Sequence, residues 1–147
     1  MANFKGQLKD KDNNILYPDV IQGNYIFYKW PAGTQIATEY GSVSKDFTIT
    51  TKGRPVFISV SGDMNPLTDK AKTWIDIDIK KGSTILARQI AEEHAASSWN
   101  SPFSLQYLDI VSAGTYTYTI TFTSGSGTCQ LAEDGAYQAP QVIIFEI

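Results

Sequence analysis

Few residues in this chain have the types and spacing that chemistry needs, and each set is incomplete. Asp10, Asp12 and Asn14 open like a calcium loop. Such a loop requires Gly at its sixth position and Glu at its twelfth, and Ile15 and Ile21 stand there instead. Asp76 and Asp78 alternate along one run, so a strand projects both carboxylates from one face, about 7 Å apart. That spacing suits a hydrolytic pair or a cation. Yet no second acidic pair is fixed nearby, and Lys80 on the same parity makes a solvated strand face the simpler reading.

His94 and Cys129 are each the single residue of their type. A zinc site would then need mostly carboxylates. Cys129 follows a Gly/Ser turn, where nothing lowers a thiol pKa as a helix N-terminus would. Neither GSVSK nor SGSGT precedes a helix as a nucleophile elbow does, and the SGSG run lacks the lysine of a phosphate loop. Trp30, Trp74 and Trp99 could stack on a sugar. Trp74 reads as core with its strand, beside Ile75, Ile77 and Ile79, and Trp99, in SSWNSP, is left as the possible ligand surface. No catalytic set outweighs its structural reading. The expectation is a non-enzymatic chain with no metal site and no cofactor.

The elements that hold these residues read as strands. Phe47, Ile49 and Thr51 alternate with polar neighbours, and so do Val56, Ile58 and Val60. In GTYTYTITFT, Tyr116, Tyr118, Ile120 and Phe122 point one way and Thr115, Thr117, Thr119 and Thr121 the other. Phe103, Leu105, Tyr107 and Asp109 share one parity. Turn signals fall at Lys52-Gly53, Gly62-Asp63 with Asn65-Pro66, Lys81-Gly82, Ala113-Gly114 and Ser124–Gly127. Short strands at this spacing predict an all-β, antiparallel jelly-roll sandwich. One segment, Ser83–Ala96, is as compatible with a helix as with a strand, since Ile85/Gln89 and Leu86/Ile90 sit at i, i+4 spacing. Before residue 45 the apolar residues come in islands between glycines. The expected division is therefore an extended N-terminal arm, 1–45, and a sandwich, 46–147.

Composition removes several classes. With 42% hydrophobic and 12% aromatic residues the 147-residue chain is too apolar for disorder and long enough for one core. No apolar run approaches a membrane span, so no membrane insertion is expected. The opening MANFKGQLKDKDNN has no apolar core of a secretory signal. A net charge of −3 without a basic stripe argues against nucleic acid. The charge is uneven. All 12 Lys and Arg lie at or before Arg88, while Glu92, Glu93, Asp109, Glu133, Asp134 and Glu146 follow it.

The stretch FKGQLKDKDNNILYPDV resembles the opening of bacteriophage fibre and head-fibre proteins, with Asn13 where Gly is frequent. KDFTITTKGRPVFISVSGDMNP, PFSLQYLDIVSAGTYTYTITF and the ending APQVIIFEI resemble their small trimeric jelly-roll module, which is similar in shape to tumour-necrosis-factor-like and complement globular-head domains. The resemblance tips Ser83–Ala96 towards a strand. It implies a homotrimeric virion protein, made in the bacterial cytoplasm. It further implies an arm that docks through Leu16, Tyr17 and Pro18 onto a capsid or tail protein, or a tip that binds a host glycan or receptor. It places Tyr116 and Tyr118 at the trimer interface.

Physics points the same way for the last strand. QVIIFEI is apolar on both parities, so Val142, Ile144, Phe145 and Ile147 are expected at a subunit contact. Glu92, Glu93, Glu133 and Asp134 are expected on the outer surface or at one end. Glu146, inside that apolar run, should reach solvent or meet a Lys or Arg from the first 88 residues.

Overall fold

Alternation at this density leaves the backbone one economical solution, two sheets closing their apolar faces on each other. The computed structural model describes residues 25–31, 33–67, 73–93, 101–131 and 139–147. Among these the strands are β1 (Tyr25–Lys29), β2 (Thr34–Ile36), β3 (Ser42–Lys52), β4 (Val56–Pro66), β5 (Thr73–Lys81), β6 (Thr84–Glu93), β7 (Ser101–Asp109), β8 (Ala113–Ser126), β9 (Cys129–Leu131) and β10 (Gln141–Glu146). All pairings are antiparallel.

One sheet has the order β3-β8-β5-β6. In the other, β4 carries β7 along one edge and β10 followed by β9 along the opposite edge, and β1 and β2 pair outside β10 and β9. Each sheet thus interleaves early and late strands, which is the double Greek key of a jelly roll. The core lies between them. Ile58, Val60, Val142 and Ile144 face Ile77, Ile79, Ile120, Phe122 and Tyr118, all without accessible surface. Trp30 packs edge-on to Phe122 at 5.1 Å and to Tyr28 at 4.9 Å, a favoured ring geometry.

Several expectations are corrected. The break at residue 45 does not exist in the described residues. β1 pairs with β10 from Tyr25↔Phe145 to Lys29↔Gln141, and Trp30 and Ile36 are core. The sandwich therefore takes in residues assigned to the arm. Thr84–Glu93 is a strand, as the resemblance implied, because pairing with β5 from Thr73↔Glu93 to Lys81↔Thr84 outweighs its helix formers. Gly82, at φ +59°, makes the tight turn between them, with open space where a Cβ would be.

Trp74 is not on the core parity. It pairs with Ser126 and Glu92 on the outer face beside Asp76, and it is half-buried because its indole lies on Gly125. A Cβ at Gly125 would overlap that ring, and the strand bulges there, Trp74↔Ser126 being followed by Ile75↔Ser124. The turns expected at Gly62–Pro66, Ala113-Gly114 and Ser124–Gly127 lie mostly inside strands. β4 runs through Gly62 to Pro66, and β8 runs from Ala113 to Ser126.

Candidate functional site

Side chains that look outward from the two sheets differ in kind. On the sheet holding β8, register sets the outer rows as Asp46–Thr119–Lys80–Ile85, Ser44–Thr121–Asp78–Arg88 and Ser42–Thr123–Asp76–Ile90. These polar groups satisfy one another. Thr48 and Thr117 share a hydroxyl contact of 2.9 Å, as do Thr50 and Thr115, and the Thr119 hydroxyl donates to Asp46 at 2.6 Å. Arg88 forks onto Asp78, Nε–Oδ1 at 2.6 Å and the second amine at 2.8 Å to Oδ2, while Lys80 stands 3.4 Å away. The Arg88 hydrogen bond, more than burial opposes it, holds the Asp78 carboxyl below its usual range. Asp76 and Asp78 are therefore not a carboxylate pair free to act together, since Asp78 belongs to Arg88, with Lys80, the partner expected for this face, beside it. Among the described residues no cluster of three or more His, Cys, Asp or Glu could hold a metal ion.

The other outer face is apolar. Cross-strand pairing sets Tyr25, Phe145, Phe57 and Leu108 in one row over four adjacent strands, and Phe27, Ile143, Ser59 and Gln106 in the next. The Phe57 and Phe145 rings meet at 5.3 Å. Ile147 donates its amide to the Pro55 carbonyl at 2.9 Å, and Ile110 follows Asp109, the partner of Val56. Tyr25 (60%), Phe27 (56%), Leu108 (45%), Ile110 (73%), Ile143 (38%) and Ile147 (51%) all keep large exposed fractions in the single chain. Solvated sheet faces carry polar residues on alternate positions. A contiguous apolar one marks a contact surface.

The carboxylates at the end of this sheet turn the other way. Glu146 and Asp109 both pair with Val56, so both have inward parity and reach across to the opposite sheet. Glu146 Oε1 accepts from the Thr51 hydroxyl at 2.6 Å and from the amides of Lys52 at 2.7 Å and Arg54 at 3.3 Å. Thr51, first among these donors, draws the Glu146 carboxyl below its ordinary pKa. Asp109 accepts from Lys81 at 2.6 Å and from the buried Tyr118 hydroxyl at 2.8 Å. Desolvation, then that bond, pushes the Tyr118 hydroxyl pKa upward. Glu146 is half-exposed, within reach of solvent as expected, and it is held by a hydroxyl and backbone amides, with the Arg54 charge adding to their pull. The two carboxylates close one end of the core.

The residues expected at a subunit contact separate accordingly. Phe145 and Ile147 lie on the apolar outer face. Val142, Ile144 and Tyr118 have no accessible surface and fill their own chain's core, which leaves nothing for a second chain to touch. Tyr116 is half-buried under Lys81, which sits 5.6 Å over its ring, and it bonds Ser112. Leu16, Tyr17, Pro18, His94, Trp99, Glu133 and Asp134 lie outside the described residues. Glu92 is half-buried on the polar outer face opposite Trp74. Cys129 is buried, and desolvation pushes its thiol up to about 12, so it is no nucleophile. Tyr25, Phe27, Phe57, Leu108 and Ile143 were missed. Their signal was an alternating run with large apolar residues on both parities, visible in YIFYK as much as in QVIIFEI.

No protein-family model matches the chain, and no curated protein matches it. Among solved structures, it is similar to the infectious bursal disease virus VP2 subviral particle, at TM-score 0.48 and 9% identity over 86% of this chain. The chain spans 38% of that protein's length. It is also similar to the CBM36-1 domain of a multidomain xylanase from the hindgut metagenome of Trinervitermes trinervoides (TM-score 0.40, 13% identity, 81% of this chain and 96% of that one). A third is the C-terminal CBM6 of LamC from Zobellia galactanivorans (TM-score 0.39, 16% identity, 84% and 100%). At such scores none of these likenesses carries a function across.

Proposed function

We propose that this chain is a non-enzymatic structural module of a bacteriophage virion, a homotrimer whose N-terminal segment attaches to a capsid or tail protein and whose jelly roll projects outward. The observation that carries the reading is the apolar outer face built from β1, β10, β4 and β7. Its two apolar rows hold no charged side chain. Copies of the chain therefore meet there without like-charge repulsion, and an ionic partner finds nothing to pair with. The phage resemblance of the opening residues and of the terminal APQVIIFEI supplies the virion and the trimer.

The second reading is a receptor- or glycan-binding tip. Tyr25 and Phe27, exposed and two residues apart on β1, favour it as a stacking platform. Ile143, Leu108, Ile110 and Ile147 weigh against it, because branched aliphatics do not stack on sugars and form much of the same face.

Deleting residues 1–20, which include Leu16, Tyr17 and Pro18, tests the attachment. The expected product is a soluble trimer that no longer co-sediments with virions. Retained co-sedimentation contradicts the assigned role of the arm.

A further inference from the structure

The apolar face is graded along its strands, and the gradient runs in the direction of the chain's termini. At one end lie Ile110 and Ile147, the first of them 73% and the second 51% exposed, followed by the row Tyr25–Phe145–Phe57–Leu108. One row further, Ser59 and Gln106 replace half of the apolar set. The next row, Lys29–Gln141–Ser61–Ser104, has no apolar member. A contact driven by apolar burial is therefore strong at the Ile110/Ile147 end and absent at the other.

Connectivity fixes what each end is. β1 starts at Tyr25, opposite Phe145, so the preceding 24 residues join the sandwich at the apolar end, beside the C-terminus. The connections that follow Pro66 and Glu93 leave from the polar end. The carboxylates at the apolar end do not oppose a close approach, because Glu146 and Asp109 are both committed inward to their own chain.

We infer that copies of this chain are clamped together at the end where the N-terminal segments enter, through Ile110, Ile147, Leu108 and Phe57, and stand apart at the loop end. β1 then starts at the clamped end in each copy, and the end holding Pro66 and Glu93 points away from the particle. This rests on the self-assembly proposed above and adds an orientation to it.

Site-directed cross-linking reads the orientation directly. The background is the natural chain, whose one cysteine, Cys129, is buried. Single variants Ile110→Cys and Ser104→Cys are compared at the two ends of the face, both at exposed positions. Mild oxidation and a short bismaleimide are used in parallel, so that disulfide geometry alone does not decide the result. The expected outcome is efficient inter-chain coupling of Ile110→Cys, with coupling of Ser104→Cys at least tenfold slower. Ile147→Cys serves as the second reporter and should behave like Ile110→Cys. Oligomers in which Ser104→Cys couples as fast as or faster than the other two overturn the orientation and leave the assembly standing. A monomer in light scattering for the natural chain overturns both.

Discussion

Both outer faces of the sandwich come from alternating strands, yet they end in opposite chemistry. On the β3-β8-β5-β6 sheet every described row offers hydroxyls or paired charges, and the partners are on neighbouring strands. Thr48 finds Thr117, Thr119 finds Asp46, and Asp78 finds Arg88. Apart from Ile85 and Ile90 at its β6 edge, 44% and 55% exposed, such a face is complete in water. On the β1/β10/β4/β7 side the corresponding positions are rings and branched aliphatics, whose exposure no partner among the described residues relieves. In the assembly proposed above, the first face meets solvent and the second meets copies of the chain.

The largest effect should come from charging the apolar face. Leu108→Lys or Phe57→Lys replaces side chains worth about 1.5–3 kcal/mol each when buried at a contact and adds the desolvation cost of a charge. The expected outcome is a folded monomer, with the β-sheet circular dichroism kept and the scattering mass reduced. Thr117→Lys on the opposite face should leave the mass unchanged. If both substitutions dissociate the protein, the distinction between the faces fails.

Next in size is the polar face's own support. Asp78→Ala leaves Arg88 without its forked partner in a tightly packed row. It should cost about 1–3 kcal/mol of folding stability, read by denaturant unfolding, without changing assembly. Apolar-face variants should thus lose association but keep the fold, and this variant should do the reverse.

Glu146 lies where the two sheets meet, and its effect depends on pH. Its folded pKa is below the ordinary 4.5, so the stability it supplies is complete above that value and is lost as pH falls through the folded pKa. Asp78, lowered from 3.8, acts in the same direction further into acid. Thermal melts should therefore decline below about pH 4.5, and Glu146→Gln should show a shallower decline over the upper part of that range. An unchanged acid limb would contradict the Thr51 clamp. Smallest of all is Thr48→Val, which breaks one exposed hydroxyl pair and should cost about 0.2–1 kcal/mol.

The strands themselves were legible, because a period of two with Thr or charge on one parity is a local signal. Tyr118, Ile120 and Phe122 fall where alternation put them. Three things were hidden for the same physical reason, that they depend on register between distant segments. Arg88 opposes Asp78 only because a bulge between Ile79 and Lys80 shifts the β5–β6 pairing. What receives the outward Trp74, on the parity of Asp76, is Gly125 at a bulge of β8. The apolar rows exist only when Tyr25 is set beside Phe145, Phe57 and Leu108, four residues from four parts of the chain. Large apolar residues on both parities mark the terminal strand as unusual, but alternation does not say which side faces home. Val142 and Ile144 face the core, and Ile143, Phe145 and Ile147 face out.

The mass of the natural chain in solution, by multi-angle light scattering, tests the central claim most directly. The proposed homotrimer scatters at three times 16.2 kDa at micromolar concentration, and Leu108→Lys at 16.2 kDa. A natural chain that scatters as a 16.2 kDa monomer under those conditions contradicts it.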